Sequence, residues 1–275
     1  MAKQNLDQAQ QTNGQQKKNI ALIFEPHSVW VALISLAIWL AVTFIVALWA
    51  TPVGENAPVI VTMGNGASWS HITGLVCALL LLAIFKIHLT GFASLARRDW
   101  LLMWLPMIYV LLMLASFFKG GFAVTPTQTI AILAANTAIL AASEEIMFRG
   151  ILWEALSRTM RPALAIALCT GAFAIIHSGN ALIGSDLINA LAQSFNAIMS
   201  GLFLLALRIR TRSIYPSIVF HFLWNFAVIL TSTNAINAPT VPSQPEPLAL
   251  LMQFALLLPI GIYGLFLMRK MPVRN

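Results

Sequence analysis

Apolar runs, each near the roughly 20 residues a helix needs to cross a hydrocarbon layer, recur along this chain between short polar stretches. Read by run length, they predict spans at about 30–50, 71–90, 100–117, 128–150, 162–178, 187–207, 214–231 and 248–268. The fourth run is expected to stay helical beyond Gly150, because ILWEALSR keeps helical apolar spacing and no breaker precedes Arg161–Pro162. Before the first run, MAKQNLDQAQQTNGQQKKN is rich in Gln and Asn and has no apolar periodicity. Residues 1–19 therefore read as a disordered cytoplasmic tail rather than a cleavable signal. The expected fold class is all-α: a polytopic transmembrane helical bundle of about eight spans, with residues 20–275 as a single transmembrane domain.

Charge adds an orientation. Lys3, Lys17 and Lys18, Arg97 and Arg98, Arg158 and Arg161, Arg208, Arg210 and Arg212, and Arg269, Lys270 and Arg274 collect on one side of the alternating spans. Across the intervening loops 51–70, 118–127, 178–186 and 232–247 the only basic residue is Lys119. Cytoplasmic loops carry the Lys and Arg excess, so both termini are expected to be cytoplasmic. The pattern is compatible with a bacterial cytoplasmic (inner) membrane. Pro239, Pro242, Pro245 and Pro247 make the last outer loop a stiff, extended linker.

Composition agrees with lipid as the main solvent. Of the 275 residues, 59% are hydrophobic and 9% charged, against roughly 25% charged in a soluble domain. The net charge of +7 sits in short clusters between apolar runs, which points to anionic lipid as the neighbour and not to nucleic acid. Cys77 and Cys169 lie inside apolar runs without paired spacing, and read as two buried small hydrophobes.

Ionisable groups within spans are costly and are functional candidates by default. The fourth span carries Glu144, Glu145 and Arg149. Glu145 and Arg149 stand four apart, the spacing that pairs an acid with a base on one helix face. Glu144 points about 100° away, toward another partner. The pair reads as a supporting ion pair that orders the helix. Glu144, in a low-dielectric site, suits a general acid or base.

His177 and Glu144 are about equally far from the turn near residues 159–161, so an antiparallel hairpin brings them to one level about 24 Å from it. Glu154, Arg158 and Arg161 suggest that the hairpin tip projects into the cytoplasm, which would put the pair in the cytoplasmic half of the bilayer. His221 and Asn225 share a face of the seventh span, with His221 roughly 13 Å from the loop at Arg212. On the sixth span Asn189, Gln193, Asn196 and Ser200 form one polar face, either a bundle-facing hydrogen-bond stripe or the lining of a peptide cavity. Asp186 reads as a helix cap, and His27, His71 and His88 fall near span ends with no assigned role.

These residues resemble the intramembrane CAAX proteases and bacteriocin-processing enzymes, the CPBP or Abi family. Glu144-Glu145-Ile-Met-Phe-Arg149 fits its EExxxR motif, Phe173-Ala-Ile-Ile-His177 its FxxxH, and His221-Phe-Leu-Trp-Asn225 its HxxxN or HxxxD. The resemblance covers about residues 140–226, within an expected catalytic core at about 128–231. It implies a glutamic endopeptidase in which Glu144 and His177 activate water while His221 and Asn225 stabilise the oxyanion, with no cofactor and no metal. A zinc site is the alternative, since two His and a Glu form a common catalytic set, although no HExxH helix is present. The expected partners are a peptide or membrane-protein substrate, presented from the cytoplasmic side, and the bilayer itself. In this family the eukaryotic branch uses prenylated CAAX substrates, and bacterial relatives are linked to peptide maturation or bacteriocin immunity. The competing function is non-hydrolytic: a membrane immunity or scaffold factor, or a proton-coupled transporter using the same buried groups.

Overall fold

The computed structural model describes residues 25, 28–50, 63–87, 91, 93, 95–120, 125–183, 185–236 and 247–269. The expected N-terminal tail, His27, His88, Pro239, Pro242 and Pro245 lie outside the described residues.

Each predicted apolar run forms a helix. They are α1 (Val29–Ala50), α2 (Trp69–Ile84), α3 (Trp104–Gly120), α4 (Thr127–Thr159), α5 (Pro162–Ser178), α6 (Leu187–Thr211), α7 (Tyr215–Ile236) and α8 (Pro247–Met268). A helical turn, Arg97–Trp100, and a 3-10 turn, Leu101–Met103, lead into α3. Six of the eight are long and apolar enough to cross a membrane, while α2 and the stretch Phe254–Met268 of α8 are shorter apolar helices. Large apolar side chains such as Trp49, Ile84, Leu111 and Ile175 stand exposed on the bundle's outer faces. A surface of that kind is suited to lipid. The chain is an all-α polytopic bundle and an integral membrane protein.

Local chemistry sets the helix ends. Asp186 caps α6 as expected, its Oδ1 accepting from the backbone N–H of Ile188 at 2.9 Å and of Asn189 at 3.3 Å. Pro162 opens α5, where a missing N–H costs nothing. Arg212 ends α6 in the left-handed region, at φ 54°.

Within the bundle α6 packs against α5, α7 and α8, and α4 packs against α2 and α7. Two buried polar contacts fix α4. Asn136 donates to the carbonyls of Met63 and Gly66 at 2.7 and 2.8 Å and accepts from the N–H of Ser68 at 3.0 Å. The indole N–H of Trp39 donates to Ser143 Oγ at 2.9 Å.

Three expectations change. Arg158, Thr159 and Arg161 at the α4–α5 turn are exposed, but Glu154 is not a tip residue: residues 146–156 are all buried. Their charge is neutralised inside the bundle, since Glu154 accepts from Arg158 at 2.6 Å and pairs with Arg208 at 3.4 Å. Arg208 is accordingly not a loop residue; α6 runs on to Thr211 and holds it buried. Finally, Cys169 is buried but Cys77 only half-buried, and both are free thiols.

Candidate active site

The site begins where α4 changes its winding. Glu144 and Glu145 occupy the last residues of the regular helix, and Ile146–Leu152 continues as a wider π-helical stretch. Such segments interrupt the ordinary backbone ladder and recur at functional positions.

Glu145 and Arg149 pair as the spacing predicts, with Nη1 to Oε1 at 2.8 Å and both residues fully enclosed. A buried ion pair needs further donors and acceptors to offset desolvation. Here α6 and α7 supply them. Arg149 Nη2 donates to the carbonyl of Gly201 at 3.2 Å. Glu145 Oε1 also accepts from His221 Nδ1 at 2.8 Å. The Arg149 guanidinium lies over the Phe173 ring, 4.1 Å from its centroid. From the other side, Arg208 Nε donates to the Arg149 carbonyl at 3.2 Å, which supports the π-helical stretch from α6.

Glu144 projects elsewhere. Its Oε2 is buried without a hydrogen-bond partner and stands 3.6 Å from His221 Nε2. Because Nδ1 of His221 is committed to Glu145, the two facing atoms attract only when one of them carries a proton.

His177 Nδ1 donates to the Phe173 carbonyl at 2.8 Å, which leaves Nε2 of the neutral ring as a proton acceptor. The Phe173 ring sits edge-on to both histidines, with centroids 4.9 Å from His177 and 5.9 Å from His221. The hairpin register is visible one level lower, where Cys169 Sγ donates to the Phe148 carbonyl at 3.3 Å and Phe148 packs on Phe173 at 5.2 Å.

A cavity of about 660 Å³ adjoins these groups. His177, His221 and Asn225 line it, together with all four α6 residues of the predicted polar face, Asn189, Gln193, Asn196 and Ser200. Leu112, Met113, Val228 and Leu256 supply apolar walls. Glu144 is not on the wall; it reaches the cavity level through His221. Gly201, which receives Arg149, stands roughly 15 Å from the basic end of α6 at Thr211 and about 18 Å from Asn189. The catalytic candidates thus meet near mid-bundle, and the cavity extends from them toward the helix ends away from the Arg clusters.

Among the described residues, no three His, Cys, Asp or Glu side chains are grouped to hold a metal ion. The sequence reading also left some residues without a part. Phe173 was the first letter of a motif, yet it is the spacer touching Arg149, His177 and His221; its position one turn before His177 was the available signal. Gly201 and Arg208 gave no local signal, because their partners on α4 lie far away in sequence.

Fold and site together define a polytopic membrane protein with a buried Glu–His centre beside a cavity. Residues 126–227 match the family model described as Rce1-like, type II CAAX prenyl endopeptidase, and this segment belongs to the CPBP family. The match runs from the start of α4 into α7 and includes every motif residue named above. It supports a CAAX-type intramembrane protease in general. No curated protein matches the chain at a significant level.

Proposed function

We propose that this protein is an intramembrane endopeptidase that hydrolyses a peptide bond with water activated by Glu144 and His177. In the productive state Glu144 is ionised and His221 carries a proton on Nε2. Water gives its proton to the Glu144–His177 pair as its oxygen attacks the scissile carbonyl. The developing oxyanion is received by His221 Nε2–H and the Asn225 amide, donors of the kind that stabilise such charge. The stored proton then passes to the departing amine. Glu145 keeps the His221 ring in register and Arg149 holds Glu145 in place, so that pair supports the chemistry without touching substrate. No metal or cofactor enters this scheme.

The observation that carries the reading is the approach of Glu144 Oε2 to His221 Nε2 at 3.6 Å, with the first atom otherwise unpartnered. Support comes also from the family match, which spans all three motifs. The substrate class is a peptide or membrane-protein segment, and the basic loops favour a bacterial cytoplasmic membrane as the location. Glu144→Gln preserves shape and removes the base, so turnover is expected to fall about 10²- to 10⁴-fold while the protein still purifies as a folded species. Undiminished Glu144→Gln cleavage by purified protein would remove Glu144 as the base and overturn the mechanism.

A further inference from the structure

The α6 polar face has a chemistry that the catalytic scheme leaves unused. Asn189 and Gln193 are exposed in the isolated bundle, Asn196 and Ser200 are partly buried, and all four line the cavity. Polar side chains in a membrane-spanning helix are costly against lipid. Facing a polar ligand or water-filled space removes that cost. Several polar atoms on this face are also available. Asn196 Oδ1 is buried and unpartnered. Gln193 Oε1 accepts from Asn180 Nδ2 at 2.8 Å, which orients the Gln193 amide and leaves its own N–H groups over. Ser200 Oγ donates to the Asn196 carbonyl at 3.1 Å and keeps its acceptor capacity.

Carboxamides both donate and accept, as peptide groups do. From Ser200 to Asn189 the row is about 16 Å long, the length of roughly five residues of extended chain. One end lies beside the catalytic level, since Ser200 precedes the glycine that receives Arg149. No Lys, Arg, Asp or Glu lines the cavity among the described residues. Along the row, away from His221 at the catalytic end, a charged side chain or a free terminal carboxylate would therefore be desolvated without a counter-ion beside it.

We infer that the α6 row Asn189–Gln193–Asn196–Ser200 is a track that binds the backbone of an extended, uncharged peptide segment, with the apolar opposite wall accepting its side chains. This deepens the endopeptidase reading and rests on it for which bond is cut, but the binding itself needs no catalysis. Specificity then lies in the absence of charge over about five residues to one side of the scissile bond, and a substrate end bearing a free carboxylate is disfavoured within the track.

The test uses full-length Glu144→Gln protein in detergent and an equimolar pool of ten-residue peptides of Ala, Val, Thr, Leu and Ser. One half is capped at both ends, and the other carries Glu or Lys at central positions or a free carboxylate. Retained peptides are read by mass spectrometry. Capped uncharged peptides should be retained at least 5-fold over the charged half, and adding Asn189→Ala and Gln193→Ala together should reduce that retention at least 5-fold. Equal retention of charged peptides, no retention, or retention indifferent to the two alanines would overturn the track. In parallel, wild-type protein is incubated with the same pool. Glu144-dependent cleavage with no role for the row leaves the endopeptidase reading standing, and row-dependent retention with no cleavage overturns that reading alone.

Discussion

His221 is held by Glu145: its Nδ1 donates to Oε1 at 2.8 Å, and that same oxygen receives Arg149 Nη1 at 2.8 Å. One buried carboxylate oxygen thus connects α4 to α7 and fixes the tautomer of the ring that faces Glu144. The adjacent glutamates divide the work because neighbouring helical residues point in different directions. Each keeps one buried oxygen without a partner, but Glu145 Oε1 receives two donors, while Glu144 Oε2 faces His221 Nε2 at 3.6 Å.

Removing Glu145 should cost stability and catalysis separately. Glu145→Ala leaves Arg149 buried without its carboxylate, a change that destabilises by about 3–5 kcal/mol when one partner of an enclosed pair is lost. The double variant Glu145→Ala/Arg149→Met removes the stranded charge, so thermal unfolding in detergent should return most of the way to wild type. Turnover should stay low, because His221 is still unheld. Recovery of turnover together with stability would show that Glu145 acts only through Arg149.

How much of this could be read beforehand depended on sequence distance. The helices were legible because apolar runs of membrane-spanning length need no tertiary information. The Glu145–Arg149 pair and the Asp186 cap were legible because both are contacts within one turn. The His221–Glu145 bond joins residues 76 positions apart, and nothing local distinguishes a histidine that meets the first glutamate from one that meets the second. Arg208 misled for a physical reason: by composition it belonged to a basic loop, but Glu154 offers it a buried partner and the helix continues to include it. The polar face of α6 was legible as a face; that it borders a cavity was not.

Helix packing gives a contrasting pair of glycine substitutions. A Cβ on Gly264 of α8 would stand 2.8 Å from the backbone N and Cα of Phe203, which cannot move without shifting α6. Gly264→Ala should destabilise by at least about 1–3 kcal/mol, the usual cost of overpacking, and reduce turnover by displacing α6. A Cβ on Gly171 of α5 meets nothing within 4 Å. Gly171→Ala should be neutral or stabilising by up to about 1 kcal/mol, from helix propensity. Thermal melts of both variants check this, and equal effects would contradict the close α6–α8 approach.

Metal dependence can be read directly. The Nδ1 atoms of His177 and His221 are engaged by the Phe173 carbonyl and by Glu145, and the proposed water activation uses no metal step. Prolonged dialysis against a strong chelator should leave turnover within about 2-fold of the untreated protein, a margin of roughly 0.4 kcal/mol in barrier. A loss restored by added zinc would replace the proposed scheme with a metal-assisted one.

The direction of access follows from the two ends of α6. Arg208, Arg210 and Arg212 cluster at its C-terminal end, and the cavity reaches toward Asn189 at the other. If the basic end is cytoplasmic, as the Lys and Arg bias implies, the proposed peptide track would open toward the opposite side of the membrane. The alternative is the cytoplasmic presentation expected from loop charge and hairpin length, and cysteine labelling distinguishes the two. In a background with Cys77→Ser and Cys169→Ala, Asn189→Cys should react with a membrane-impermeant maleimide in intact cells, whereas Arg212→Cys should react only after permeabilisation. The reverse pattern would invert the bundle and return access to the cytoplasm. Protection of Asn189→Cys by a capped uncharged peptide, with no protection of Arg212→Cys, would locate the bound segment at that end of α6.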